Sequence, residues 1–385
     1  MKKLALIFLV LGVLFAAFAS FSRLPPMPPE DSLSYQLVQP GPFDVATDAH
    51  DLVDPARFIP DPDASNGQST RRMKVRLWYP QSEKHDPQPL LIYSHGLLGT
   101  GEAVEYIARV LASHGYVVAA PDFPRTNRSQ GERAHARDVF NQPRDVAILI
   151  DWLLARSEDG EDELHNAIDA QRIAAIGHSL GGLNTHLLGF HPEWQEPRIK
   201  AVISLASPTS LFTRKFLTTR SLPYMAIAGT EDAFVEYERN FLPLLDKVDG
   251  AVLVSMEGAS HLAFADEGKW FRWFDQPDAV ACRFAKDTID RNKATTEPWY
   301  DELGGIEEGY VQEINPPVCE YEVSAAMNPL RQQQLTLMAV HGFLECQFAE
   351  APEARARWCN YLRESLDREN EEVSVLYRDP EGEAP

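Results

Sequence analysis

Ile173-Ala174-Ala175-Ile176-Gly177-His178-Ser179-Leu180-Gly181-Gly182 joins a short apolar run to a helical pattern through a G-x-S-x-G turn. The four apolar residues read as a strand buried on both faces, and residues 183–190 read as a helix. A serine at such a turn is held in strained backbone geometry, with its Oγ exposed at the carboxyl edge of a sheet. Gly177 and Gly181 remove side chains that would collide in the bend. Three fixed positions of this kind recur by chance in roughly one chain in ten of this length. The surrounding sequence therefore has to supply the rest of the argument.

On both sides of this turn, strand-like and helix-like patterns alternate. Strands are predicted at 90–93, 117–120, 173–176, 201–205, 224–228 and 252–256. Helices are predicted at 104–113, 183–190 and 236–245, and around Val146, Leu149, Ile150, Leu153 and Leu154, with Pro143 near the first turn. Residues 44–53 and 73–79 read as a leading antiparallel pair, the second with period two. Such alternation specifies an α/β class with a mostly parallel, doubly covered sheet. No repeat of 20–50 residues is visible, which excludes solenoids and propellers.

A serine hydroxyl needs a base, and the base needs an orienting carboxylate. In a sheet of this type the chain order is serine, acid, histidine. After Ser179, the strand at 224–228 runs into Gly229-Thr230-Glu231-Asp232, which makes Asp232 the candidate acid and Glu231 its local alternative. The next strand is followed by Gly258-Ala259-Ser260-His261, so His261 is the candidate base. The oxyanion donors are expected to be the backbone N–H groups of Leu180 and of Leu97, in the loop Ser94-His95-Gly96-Leu97-Leu98-Gly99. His95 is read as pinning that loop and His178 as packing at the turn. His186 and His191 lack metal-ligand spacing, and His50, His85, His114, His135, His165 and His341 are read as surface or capping residues. No metal or organic cofactor is required.

The segments Tyr93-Ser94-His95-Gly96-Leu97, 111–120 and Gly177-His178-Ser179-Leu180-Gly181-Gly182 resemble the α/β-hydrolase superfamily. Within it they are most similar to platelet-activating-factor acetylhydrolase-like and dienelactone-hydrolase-like esterases. Asp122-Phe123-Pro124-Arg125-Thr126-Asn127 and Asn141-Gln142-Pro143-Arg144-Asp145-Val146 add to the likeness, which spans about residues 70–262. The resemblance implies a serine esterase with Leu97 and Leu180 as oxyanion donors. Two departures matter. The acetylhydrolases carry their acid after the sixth strand, where Ser204-Leu205-Ala206-Ser207-Pro208-Thr209-Ser210 has no carboxylate. Dienelactone hydrolases use a cysteine nucleophile, and this chain has Ser179.

The chain has 385 residues, 44% of them hydrophobic and 24% charged, and a net charge of −21. That composition is globular, and the charge argues against a nucleic-acid partner. Met1-Lys2-Lys3, the apolar run 4–19 and the small-x-small site Ala17-Phe18-Ala19 read as a signal peptide over residues 1–19. The rival is an uncleaved, membrane-tethering segment. Residues 20–43 read as a Pro-rich linker, 44–350 as the α/β-hydrolase domain and 351–385 as a C-terminal helix with an acidic, frayed tail. Within the domain, 264–328 breaks the strand–helix rhythm and reads as an insertion. Asn328-Pro329 then reads as the cap and first residue of a helix reaching about 348, with Leu337, Val340, Leu344 and Phe348 on one stripe. Four cysteines in an exported chain suggest two disulfides, and nearest-neighbour pairing gives Cys282–Cys319 and Cys346–Cys359.

Trp270, Phe271, Trp273 and Phe274 follow His261 closely; the expectation is that they are buried, seating the insertion, whereas exposed they would form an apolar lip. Leu211, Phe212, Phe216 and Leu217 serve equally as a lid or as core, and Arg214, Lys215 and Arg220 are read as a solvated face. The whole reading is an exported serine hydrolase acting on a small-molecule or lipid ester, with possible lipid-surface contact. A peptidase or amidase using the same three residues and a non-catalytic binding module are the alternatives.

Overall fold

A computed structural model describes residues 24–61, 64–65, 67–82, 86–293, 303–311, 318–320 and 322–377. The expected signal peptide at 1–19 lies outside the described residues. Nine strands form one sheet in the order β1-β2-β4-β3-β5-β6-β7-β8-β9. They are β1 Val45–Pro60, β2 Gln68–Pro80, β3 Gln88–Ser94, β4 Val117–Asp122, β5 Ile168–His178, β6 Ile199–Leu205, β7 Tyr224–Gly229, β8 Val252–Met256 and β9 Val373–Tyr377. The strands from β4 across to β8 pair in parallel, β1–β2 and β2–β4 are antiparallel, and β9 runs antiparallel to β8.

The continuous apolar runs have a simple cause. Successive side chains point to opposite faces of a strand, and here both faces are covered. Leu90, Ile92, Ile173 and Ala175 enter one core, with Val146, Leu149, Ile150 and Leu153 of α3 (Gln142–Glu158) and Leu183, Leu187 and Leu188 of α4 (Leu180–Phe190). Leu91, Tyr93, Ala174 and Ile176 enter the other, with Ile107 and Leu111 of α2 (Glu105–Ser113) and Leu335, Met338 and Val340 of α6 (Pro329–Phe348). Asn328 caps α6, its side chain accepting the Leu330 N–H at 2.9 Å. The stripe of Leu337, Val340, Leu344 and Phe348 is buried, and so is most of the rest of that helix.

Several expectations need correction. The segment read as a linker over 20–43 contains α1 (Leu33–Val38), which is docked on the body of the protein. Leu37 is buried, Ser34 Oγ pairs with Tyr361 Oη at 2.9 Å, and His341 Nδ1 donates to the Leu37 carbonyl at 2.9 Å. His114, the C-cap of the helix Glu105–Ser113 as a capping role requires, also donates from Nε2 to the Gln39 carbonyl at 3.0 Å, whereas His341 is buried and is neither a surface nor a capping residue. The tail does not fray from 367, because β9 completes the sheet along the open edge of β8. The helix expected at 236–245 is two single turns, Tyr237–Asn240 and Leu242–Leu244, broken at Phe241 just ahead of Pro243 in the second turn.

Both disulfides pair nearest neighbours. Cys282–Cys319 closes a separation of 37 residues, and Cys346–Cys359 ties α6 to α7 (Pro352–Asn360) across 13. Phe212, Phe216 and Leu217 are core, with Phe212 and Phe216 stacked at 4.4 Å beside Tyr310. Arg214, Lys215 and Arg220 are bound locally, to Asp249 and to backbone carbonyls.

Candidate active site

The turn between β5 and α4 puts Ser179 at φ +55°, a conformation that a residue with a Cβ adopts only under constraint. The constraint is visible. The Ser179 N–H donates to the Leu205 carbonyl at 2.9 Å. A Cβ at Gly181 would lie 1.9 Å from the Ser94 carbonyl oxygen, so no larger residue fits where α4 passes the end of β3. Leu180 is the first residue of α4, where the amide has no intrahelical acceptor.

The loop after β3 lies directly against this serine. A Cβ on Gly96 would come 3.1 Å from Ser179 Cβ and 3.4 Å from His178 Nδ1. Gly96 therefore lets the backbone leading to Leu97 pass beside Ser179. His95 uses both ring nitrogens on this loop: Nδ1 donates to the Gly96 carbonyl at 2.7 Å and Nε2 accepts the Phe123 N–H at 3.0 Å. Burial keeps it below the ordinary imidazole value, as a neutral ring with that pattern requires.

His261 follows β8 and is buried between two rings. Phe234 stacks on one side at 4.6 Å and His178 lies on the other at 4.6 Å. Its Nδ1 donates to Asp232 Oδ2 at 2.8 Å. The other oxygen of Asp232 accepts the Phe234 and Val235 N–H groups at 2.7 and 2.8 Å, so this carboxylate is fixed before it meets the ring. Glu231 turns elsewhere and accepts the backbone N–H of Ser324. Burial lowers the His261 pKa, but the charge and hydrogen bond of Asp232, with the charge of Asp278, outweigh it and leave the pKa raised. His178 is held well below its ordinary value by burial and by the adjacent His261.

Sequence reading missed two supports of the His261 loop. Gln332 of α6 brackets Ser260, accepting its N–H at 2.9 Å and donating to its carbonyl at 2.7 Å. Asp278 opens α5 (Pro277–Lys293) and accepts the N–H groups of Ala233, His261 and Leu262. Neither belongs to a recognisable motif. Trp270, Trp273 and Phe274 also depart from expectation: all three are exposed, because their segment follows the His261 loop along the surface. Among the described residues no group of three or more His, Cys, Asp or Glu side chains is placed to hold a metal ion.

A serine in a strained strand-to-helix turn, a buried imidazole–carboxylate pair and a mostly parallel, doubly covered sheet define an α/β-hydrolase. The family model of PET hydrolase-like proteins matches residues 74–272, and the chain belongs to that family. It is similar to Cutinase est2 of Thermobifida alba, at 28% identity over 191 residues, covering 49% of this chain and 56% of that protein. Cutinase cut1 of Thermobifida fusca is 26% identical over 190 residues, covering 49% and 53%. The chain thus spans about half the length of the curated relatives it matches. A ferulic acid esterase from Streptomyces cinnamoneus superposes with a TM-score of 0.54 at 18% identity, covering 80% of this chain and 92% of that one, a likeness of fold.

Proposed function

We propose that this chain is a serine hydrolase of carboxylic esters that works through an acyl-enzyme. The observation that carries the reading is the 2.8 Å bond from His261 Nδ1 to a pre-anchored Asp232, with the His261 ring 4.6 Å from that of His178, the residue before a serine held at φ +55°. With Nδ1–H committed to Asp232, Nε2 is the free basic nitrogen. It takes the Ser179 hydroxyl proton as Oγ attacks the ester carbonyl. Asp232 fixes the ring and stabilises the imidazolium without taking the proton. The Leu97 and Leu180 amides receive the developing oxyanion. His261 then returns the proton to the leaving alcohol, and water repeats the sequence to free the acid.

The names of the relatives, cutinases and a ferulic acid esterase, support an ester as the scissile group. Membership of the PET hydrolase-like family supports a polyester or lipid-like substrate. The exposed Trp270, Trp273 and Phe274, carried just beyond His261, supply an apolar surface beside the site. Export is supported by two disulfides and by the basic-then-apolar N-terminal run of the sequence.

The test is hydrolysis of p-nitrophenyl esters by wild-type and Ser179→Ala protein, with a matched amide alongside and labelling by a fluorophosphonate probe. Ser179→Ala should lose turnover and labelling while keeping the wild-type circular dichroism. Full ester turnover in a clean Ser179→Ala preparation would overturn the reading, and preference for the amide would redirect it to a peptidase.

A further inference from the structure

Asp278 lies outside the residues matched by the family, yet it touches both loops of the candidate site. Its Oδ2 accepts the Ala233 N–H at 3.0 Å and the His261 N–H at 2.7 Å, and its Oδ1 accepts the Leu262 N–H at 2.8 Å. One carboxylate therefore bridges the residue after Asp232 and the backbone of His261 itself. The arrangement is closed from the other side. Cys282 lies one turn further along α5 and is bonded to Cys319, whose N–H donates to the Ala233 carbonyl at 2.7 Å. Ala233 is thus held through its N–H by Asp278 and through its carbonyl by Cys319, and the disulfide joins the two clamps. Asp278 is completely buried and makes no ion pair with Lys or Arg among the described residues.

We propose that Asp278 is a positioning residue of this site: its carboxylate sets the spacing between the Asp232 loop and the His261 loop, and its charge favours the imidazolium of His261. The proposal rests on the ester-hydrolase reading above. The titratable groups acting on Asp278 are Asp232 and His261, and burial together with the charge of Asp232 pushes its pKa up to about 6. It is therefore mostly ionised at the neutral pH where a histidine base works. An asparagine keeps the shape but removes the charge and turns an NH2 group toward a backbone N–H.

The experiment is steady-state hydrolysis of a soluble p-nitrophenyl ester against pH by wild-type and Asp278→Asn protein. The expected result is a fall in kcat of about ten- to a hundredfold with KM little changed, the scale of a misplaced catalytic group. The acid limb of kcat/KM should also move to lower pH, because a negative charge favouring the protonated ring has gone. Should Asp278→Asn fail to fold, the Cys282→Ala/Cys319→Ala pair gives the second arm: kcat should fall, while Cys346→Ala/Cys359→Ala loses stability alone. A folded Asp278→Asn with wild-type kcat, a fall in kcat with an unmoved acid limb, or a fully active Cys282→Ala/Cys319→Ala pair when the first variant is lost each overturn the proposal. Wild-type protein with no ester turnover and no fluorophosphonate labelling fails the ester-hydrolase reading instead, and so is distinct.

Discussion

His261 carries opposing influences in one buried ring. Burial disfavours its charge, and the Asp232 carboxylate 2.8 Å from Nδ1, with Asp278 behind the backbone, favours it. The carboxylates win, so the ring protonates above the ordinary imidazole value of about 6.5. A general base works only when neutral. With His261 as the proposed base, activity should be present above the raised pKa and lost as pH falls through it. The acid limb of kcat/KM for a p-nitrophenyl ester should have its midpoint above about 6.5; a midpoint at or below that value contradicts the balance described here. The places of Ser179, Asp232 and His261 after β5, β7 and β8 were legible in the sequence, because the proposed chemistry asks for these residue types in this order after strands. Asp278 and Gln332 were not, since they bind backbone amides, and any polar side chain at the right place can do that. The faint signal for Asp278 was its position beside Pro277 at a helix start, four residues before a disulfide cysteine.

Between elements, Arg71 on β2 meets Asp138 in the 3-10 turn Ala136–Asn141 and Asp145 in the first turn of α3. Arg71 is buried and bonds Asp145 through Nε and Nη2 at 2.7 and 2.6 Å and Asp138 through both terminal nitrogens at 3.1 and 2.8 Å. Arg57 of β1 joins the same Asp145. The Asn141-Gln142-Pro143-Arg144-Asp145-Val146 segment that contributed to the superfamily resemblance thus ties the leading antiparallel pair to the first helix of its layer. Removing Asp145 leaves Arg71 paired with Asp138 alone and its Nε without the Asp145 acceptor. Asp145→Ala should cost about 1–3 kcal/mol in urea unfolding, because Asp138 still pairs with Arg71, and an unchanged urea midpoint would count against the bonds to Asp145. The helices with long apolar periods were readable at this level. The six-residue α1 and five-residue β9 were not, because their partners Tyr361, His341 and β8 lie far away along the chain.

Across the molecule, the −21 net charge and the exposed aromatic residues that follow His261 in the chain pull in different directions. The charge keeps the protein soluble and repels anionic surfaces. Trp270, the most exposed of the three at 62%, stands with Trp273 and Phe274 on the segment that follows His261. Arg272 packs over Trp273 at 3.9 Å, which fixes the indole at low cost in freedom. If these rings adsorb an uncharged polyester, Trp270→Ala/Trp273→Ala should slow hydrolysis of a polyester film about fivefold, near 1 kcal/mol of lost contact. Hydrolysis of a soluble ester should be unchanged. Equal loss on film and soluble substrate would place the rings in the catalytic arrangement rather than on an adsorbing face.

Sequence alone determined the sheet class, the strand-to-helix turn at Ser179, the Asp232 and His261 positions after successive strands, and the two cysteine pairings, because each leaves a local trace in residue type, period or spacing. Tertiary structure decided what holds those residues together: which oxygen of Asp232 faces the ring, that Asp278 and Gln332 brace the histidine loop, that α1 and β9 complete the body, and that the tryptophans face water. These outcomes depend on contacts between residues distant along the chain. A single buried hydrogen bond or exposed face carries no periodicity from which it could be read in advance.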